Sequence, residues 1–309
     1  MALKALDIFK LLPKTNCKKC GCPTCLAFAM KLAQKQASLD QCPDVTAEAK
    51  AMLEGSAAPP IRLVTIGAGA NKLEIGNETV MFRHEESFYH PPGIGTIVPD
   101  TLGDAELAAR VAAIEKLQFL RVGTHIRSNI VAVANASGQA EPFAKAVAAV
   151  QKLDLPMVLM STEPAHLDKA LESCKDKQPL IHGATVENWE KYAAVAKAKG
   201  CPLALSGTDL DTLAATTEKI KAAGVEDIVL DLSSSSVAET LAALTAVRQL
   251  ALKKNMRNLG YPCLAVCAAG QSAGEQVAEC CTYVAKYAGI VLTELYAPEQ
   301  ILPLLTLRT

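Results

Sequence analysis

Five cysteines crowd the stretch CKKCGCPTCLAFAMKLAQKQASLDQC, residues 17–42, and four of them have the spacing of a metal–thiolate site. Cys17 and Cys20 form a CxxC pair, Cys25 follows after four intervening residues, and Cys42 returns after sixteen. Three thiolates from one tight loop and a fourth from a separate segment suit a cubane iron–sulfur cluster, whose corners need ligands converging from different directions. A structural zinc also takes four thiolates, but usually as two CxxC pairs, and here there is one. The Cys42-Pro43 pair weighs further toward the cluster. Cys22 could replace Cys20 or Cys25, but a residue between two ligands more often points away, and it is read as a non-ligating neighbour. A disulfide is the weakest reading, because nothing else in the chain looks secreted.

The loop needs elements to turn the chain back toward Cys42. Pro23 suits a first helical turn, Leu26, Phe28, Ala29, Leu32 and Ala33 give an apolar face, and Ser38 and Asp40 break the run. Upstream, Leu3, Leu6, Phe9 and Leu12 recur at helical spacing, predicting an amphipathic helix that shields the loop. TAEAKAMLEG reads as a helix capped by Thr46 and ended by Gly55, and SAAPP at 56–60 as a short stiff linker. Residues 1–57 are therefore expected to form a small, mainly helical 4Fe-4S domain.

From 58 to 309 the pattern changes to short apolar runs alternating with Ala-rich helices. IRLVTIG opens it, with a hairpin expected around Ile75-Gly76-Asn77-Glu78 and read as an added lid. Eight strands follow: IGTIV near 94, IVAVA near 130, MVLM at 157, PLIHG at 179, PLALS at 202, IVLDL at 228, CLAVC at 263 and IVLTEL at 290. Helices are expected at 104–116, 140–153, 163–174, 187–199, 209–223, 236–253, 274–287 and 298–306. Eight alternating units in a segment of this length predict a (βα)8 TIM barrel. The alternative, a doubly wound open sheet, wants a helix after the Gly67-Ala68-Gly69 turn, where LEIG offers another strand.

With 31 basic and 32 acidic residues the chain has no electrostatic footprint for nucleic acid or an anionic membrane. No apolar run approaches a membrane span, and Lys4, Asp7 and Lys10 interrupt what would be a signal-peptide core, so a cytoplasmic protein with reduced cysteines is expected.

A barrel keeps its chemistry at the C-terminal ends of its strands, which places Asp100, Asn135, Ser161, His182, Ser206, Asp231, Ala269 and Glu294 at the mouth. Asp231, followed by Ser233 to Ser236, is the most polar of these, and the plainer reading is that Ser235 or Ser236 caps the next helix. His84, His90, His125, His166 and His182 lack partners at ligand spacing and are read as surface or packed side chains. Cys263, Cys267, Cys280 and Cys281 sit among apolar residues and are read as core. No catalytic residue is assigned.

The segments NCKKCGCPTCLAFAMKLA, QCPDV, FRHEESFYH and the GYP at 260–262 resemble the large (gamma) subunit of the corrinoid iron–sulfur protein of the acetyl-CoA (Wood–Ljungdahl) pathway, along the whole chain. The resemblance implies a 4Fe-4S domain joined to a TIM barrel, heterodimer formation with a smaller barrel subunit, and ligation by Cys17, Cys20, Cys25 and Cys42. It implies a methyl carrier that accepts the group on cobalt from methyltetrahydrofolate through a methyltransferase and delivers it to acetyl-CoA synthase/CO dehydrogenase. The cluster would return accidentally oxidised Co(II) to Co(I). In that family the corrinoid is held by a further C-terminal domain that this chain, ending at Thr309, is expected to lack, so the chain alone is not expected to bind a corrinoid. An alternative is a barrel methyltransferase that itself binds a methylated pterin.

Overall fold

The computed structural model describes residues 5–33, 37–46, 49–50, 59–69, 72–82, 85, 90–174, 177–267 and 270–309. The chain divides into two compact units, Met1–Pro59 and Pro60–Thr309, a division two residues beyond the expected boundary.

In the first unit, α1 (Ala5–Leu11) and α2 (Cys25–Ala33) pack on each other, followed by a single 3-10 turn at Leu39–Gln41. Ile8 and Leu12 are the buried positions of the first helix, whereas Leu6 is 63% exposed. The inward stripe is thus shifted from the expected Leu6–Phe9–Leu12 series, because spacing by four follows the helical turn more closely than spacing by three. α2 begins at Cys25, two residues past Pro23, because Thr24 caps it by accepting from the Ala27 N–H at 3.1 Å. Phe28 and Ala29 are its buried face, and Leu26 points outward. Thr46 does accept from the Ala49 N–H at 3.2 Å, as an N-cap should. The rest of the helix expected to reach Gly55, most of the SAAPP linker, and Leu3 lie outside the described residues.

The second unit is a closed barrel of eight parallel strands. A short antiparallel pair comes first, β1 (Val64–Ile66) with β2 (Leu73–Ile75). The barrel strands are β3 (Gly93–Pro99), β6 (Ile130–Ala134), β7 (Met157–Met160), β8 (Leu180–Thr185), β9 (Leu203–Ser206), β10 (Ile228–Asp231), β11 (Cys263–Val266) and β12 (Ile290–Thr293), with β12 pairing back onto β3. Helices α3 (Asp104–Glu115), α4 (Ala140–Val150), α5 (Pro164–Ser173), α6 (Trp189–Lys199), α7 (Leu210–Ala222), α8 (Val237–Lys253), α9 (Ala273–Ala285) and α10 (Pro298–Arg308) follow the strands in turn. Every strand and helix expected of the barrel is present, most within two residues of its predicted bounds.

Two apolar layers hold the barrel. The outer one lies between strands and helices and includes Phe143, Leu167, Tyr192 and Tyr283. The inner one fills the lumen with Ile97, Ile130, Ala132, Val158, Leu180, Ala204, Val229, Leu264, Ile290 and Leu292, as a packed TIM barrel requires. Val64, Ile66, Leu73 and Ile75 of the β1–β2 pair belong to that same inner layer. The Gly67 N–H donates to the carbonyl of Gln178, and the Arg62 N–H to that of Gly260, both in loops entering the bottom of strands. The pair is a plug at the N-terminal end, not a lid, and its connection runs through Gly67 to Lys72, before the expected Ile75-Gly76-Asn77-Glu78 turn. Gly76 is instead where the chain leaves β2 at φ +91°, and a Cβ there would meet the Arg62 carbonyl oxygen at 2.0 Å.

Two features were not read from the sequence. β4 (Gln118–Arg121) and β5 (Thr124–Arg127) form a hairpin between α3 and β6, turning at Val122-Gly123 with positive φ at both residues. Cys267 and Cys280, expected as separate core thiols, are joined in a disulfide between the end of β11 and α9.

Candidate functional site: the thiol loop and the barrel mouth

The thiol loop reverses through a series of left-handed residues, Lys14, Asn16, Lys18 and Gly21, which lets a short segment fold around its own side chains. Asn16 clasps the start of α2 from both sides. Its Oδ1 accepts the Cys25 N–H at 2.8 Å, and its own N–H donates to the Cys25 sulfur at 3.4 Å. Cys17 is exposed, Cys20 half-buried, and Cys22, Cys25 and Cys42 are buried. Burial pushes the Cys42 thiol up, a backbone N–H of Asp44 opposes the rise, and the neighbouring thiols of Cys20, Cys17 and Cys25 add to it. Cys42, on the returning segment, is therefore within electrostatic reach of the other three cysteines singled out by spacing. Cys22 shares the apolar cluster of Ile8, Leu12 and Phe28 with Cys25 and Cys42, so burial alone does not set it apart.

Lys19 holds Asp44 across the mouth of the loop at 3.0 Å, and Asp44, lowered first by that hydrogen bond, is lowered further by one from Cys17. Neither Asn16 nor the Lys19–Asp44 pair was singled out from the sequence; the asparagine directly before the first cysteine was the available signal. Among the described residues no three His, Cys, Asp or Glu side chains already stand in the geometry that clasps a single metal ion. The donor set nonetheless fits an iron–sulfur cluster: soft thiols on a loop and a returning segment, with backbone N–H groups of Asn16 and Asp44 directed at two of the sulfurs.

At the C-terminal end of the barrel the polar side chains form two hydrogen-bonded groups that together span six consecutive strands. Asp100, 6% exposed after β3, accepts from the N–H and Oγ of Ser137 at 2.7 and 2.6 Å. Asn135 after β6 accepts the Gln139 N–H on Oδ1, which fixes its other end as the amide. That Nδ2 donates to Ser161 Oγ after β7 at 3.1 Å and meets His166 Nδ1 at 2.8 Å. His182 of β8 places Nε2 2.8 Å from Asp231 Oδ2 at the end of β10, and Ser206 of β9 donates to the same oxygen at 2.9 Å. Ser233 donates its N–H at 3.0 Å and its Oγ at 2.5 Å to Oδ1, and itself accepts the Val266 N–H of β11 at 2.8 Å. Burial alone would raise the Asp231 carboxyl, yet His182 and Ser233 bring it down to about 2. An ionised carboxylate only accepts, so His182 Nε2 carries the proton.

Here the histidine reading changes, since His166 is hydrogen-bonded to Asn135 and His182 to Asp231, and neither is an isolated packed residue. His182 reaches Asp231 because of a bulge. The register of β8 on β9 shifts between Ile181 and Ala184, and Gly183 sits in the gap at φ +135°, where a Cβ would meet the Ser161 carbonyl oxygen at 1.9 Å. Ser236 caps α8 by accepting from Glu239, as the plainer reading of the serine run expected. Ala269 lies outside the described residues. Among the described residues no helix is long and apolar enough to cross a membrane.

Residues 63–309 match the family model described as "CO dehydrogenase/acetyl-CoA synthase delta subunit", and residues 12–43 the one described as "Putative Fe-S cluster". The whole chain is 43% identical to the corrinoid/iron-sulfur protein large subunit of Moorella thermoacetica and spans 69% of it. It is 32% identical, again over its whole length, to the acetyl-CoA decarbonylase/synthase complex subunit gamma of Methanothermobacter thermautotrophicus, spanning 70% of that protein. The chain belongs to the corrinoid/iron-sulfur protein large-subunit family. Two solved dihydropteroate synthases resemble it in fold. That of Burkholderia cenocepacia has a TM-score of 0.53 and 17% identity over 79% of this chain and 94% of its own. That of Thermus thermophilus has a TM-score of 0.53 and 15% identity over 78% and 97%. At that identity the likeness extends to the barrel alone. Within the corrinoid/iron-sulfur large-subunit family, the thiol loop and the barrel described above are the two parts this chain supplies.

Proposed function

We propose that this chain is the electron-transfer and scaffold part of a methyl-carrying corrinoid iron–sulfur protein of the acetyl-CoA pathway. The observation that carries the reading is the match along the entire chain, thiol loop included, to the large subunit of that protein. Cys17, Cys20, Cys25 and Cys42 would hold a 4Fe-4S cluster, which when bound supplies single electrons for returning Co(II) to Co(I). Asn16 orients Cys25 through paired hydrogen bonds, and Ile8, Leu12 and Phe28 keep water from the inner thiols. Apolar wrapping of a negatively charged thiolate set lowers a cluster's potential, while the N–H groups directed at sulfur raise it.

The barrel serves as a docking body for a smaller barrel subunit, with the methyltransferase and acetyl-CoA synthase/CO dehydrogenase as successive partners of the assembled carrier in the cytoplasm. Its lumen is filled with apolar side chains, leaving no room for a corrinoid inside it. The pterin-binding methyltransferase reading is disfavoured by Asp231, whose four acceptor positions are taken by His182, Ser206 and the two donors of Ser233, so no acceptor is left for a pterin N–H.

The test is anaerobic reconstitution followed by iron and sulfide analysis of the wild type and of each Cys→Ala variant. About four irons per chain are expected, with loss on replacing Cys17, Cys20, Cys25 or Cys42 and retention on replacing Cys22. Stoichiometric zinc under iron-replete conditions would overturn the cluster reading. Co-expression with the smaller subunit should give a 1:1 heterodimer, and saturable binding of methyltetrahydrofolate to this chain alone would favour the enzyme.

A further inference from the structure

The β4–β5 hairpin carries apolar residues on both of its faces, which is more than a link between α3 and β6 needs. Its inward pair, Phe119 opposite Ile126, anchors it to the outer apolar layer of the barrel, with Ile126 buried. The next pair, Leu120 opposite His125, lies on the other face of the ribbon, because successive side chains of a strand alternate. Leu120 is 69% exposed there, and Val122 at the turn is 92% exposed. Val122 also sits at φ +47°, a left-handed conformation that glycine takes freely and a β-branched residue does not. Neither side chain adds to the core, so the fold gives no reason for an apolar residue at either position.

The charge around them has one sign. Residues 116–127 include Lys116, Arg121 and Arg127 and no carboxylate. At the foot of the hairpin Arg308, in the last turn of α10, donates from Nη2 to the Arg127 carbonyl at 2.7 Å. Its Nη1 donates to Asn129 Oδ1 at 2.9 Å and to the Pro92 carbonyl at 3.3 Å. All three acceptors are neutral, and among the described residues Arg308 meets no carboxylate. Burial, with the Arg127 charge adding to it, pushes this guanidinium down to about 10, as befits a cation its surroundings do not neutralise. Leu307, beside it on the same helix, is 42% exposed. Pro92 and Asn129 directly precede β3 and β6, so the whole patch lies at the N-terminal end of the barrel.

We propose that this cationic, apolar-tipped patch is the surface that receives the smaller barrel subunit, whose contacting face carries carboxylates around an apolar recess for Leu120 and Val122. The inference rests on the reading of the barrel as a docking body. Charge decides among the occupants such a patch could have. In a two-fold pair of copies of this chain the same cations would face one another, which opposes self-association. Attachment to a membrane surface grows with the apolar area inserted, and two side chains at a hairpin tip supply little. An acidic protein face offsets the unneutralised guanidinium charge and takes out of water the two side chains that the fold leaves there.

The experiment titrates the purified smaller subunit into the whole chain by calorimetry, at low and at high salt, for the wild type, V122G and R121E. V122G removes the tip side chain and relieves the left-handed valine, so the free chain should show a raised urea midpoint while its affinity for the smaller subunit falls at least about fivefold. A damaged fold cannot give that combination. R121E alters an exposed side chain and should weaken binding at least about tenfold and flatten its salt dependence. A wild-type complex that both variants form with unchanged affinity would overturn this inference alone. No complex with the wild type would defeat the docking-body reading, and the inference with it. Self-association of the wild-type chain, or its binding to phosphatidylserine vesicles, lost in the same two variants, would give the patch to a second copy or to a membrane and would equally overturn the proposal.

Discussion

Replacing Asp231 by Asn tests the barrel mouth most severely, because one carboxylate is the acceptor for donors from three directions. The wild-type carboxyl is held at about 2 in the folded state, against its ordinary value of 3.8. That depression corresponds to about 2 kcal/mol of stability. Because the folded value lies below the unfolded one, this stability is fully present above pH 4 and is lost as the pH falls from about 4 to about 2. The substitution does more than remove a charge, since an amide NH2 would face groups that are already donating. Breaking a buried pair from one side costs about 3–5 kcal/mol. For a unit of this size each kcal/mol moves the melting temperature by about 2–4 °C, so D231N should melt about 6–20 °C lower at pH 7. The assay is circular dichroism melting of the full chain from pH 7 to pH 2, with H182A and the double variant completing a cycle. H182A should cost less, because Ser206 and Ser233 still donate to the carboxylate. The gap between wild type and D231N should narrow below pH 4. A D231N variant melting within about 2 °C of wild type at pH 7, or a gap constant down to pH 2, would refute the argument.

Cys22→Ala should retain its iron yet melt lower, because the residue is 4% exposed inside the apolar cluster of the first unit; iron analysis beside a melting curve separates the two effects. Gly183→Ala should destabilise by at least about 2 kcal/mol in urea titration, since the added Cβ meets backbone oxygen and the residue has a positive φ. Val122→Gly should do the opposite and stabilise by about 1 kcal/mol, because a β-branched residue there is held at φ +47° while its side chain is 92% exposed. A urea midpoint at or below that of wild type would rule it out.

The barrel was legible because its strands are apolar throughout and separated by helices of regular length, a pattern that few other folds share. The thiol loop was legible because ligand spacing is a local property. What escaped was chiefly non-local or locally ambiguous. QFLRVGTHIR alternates weakly and is only ten residues long, so nothing in its pattern sets β4 and β5 apart from a connection. Gly76-Asn77 has better turn chemistry than the connection from β1 to β2, so the sequence points to a turn one strand too late. His182 and Asp231 lie 49 positions apart on strands separated by β9, and nothing in sequence spacing pairs them. The disulfide was obscured in the same way, each cysteine lying within an apolar run that reads as core.

The plug formed by β1 and β2 has a practical consequence for anyone cutting this chain. Counted by its strands, the barrel begins at Gly93, but four of the side chains filling its lumen come from residues 64–75. A fragment begun at the first barrel strand would be uncorked: water would enter beneath Ile290 and Leu180, which share that inner layer with the plug. Two strands of three residues each are too short to stand alone, so the excised hairpin would not fold to be added back. The cut that preserves a soluble barrel therefore lies before Ile61, ahead of the Arg62 contacts with Glu226 and Asp227.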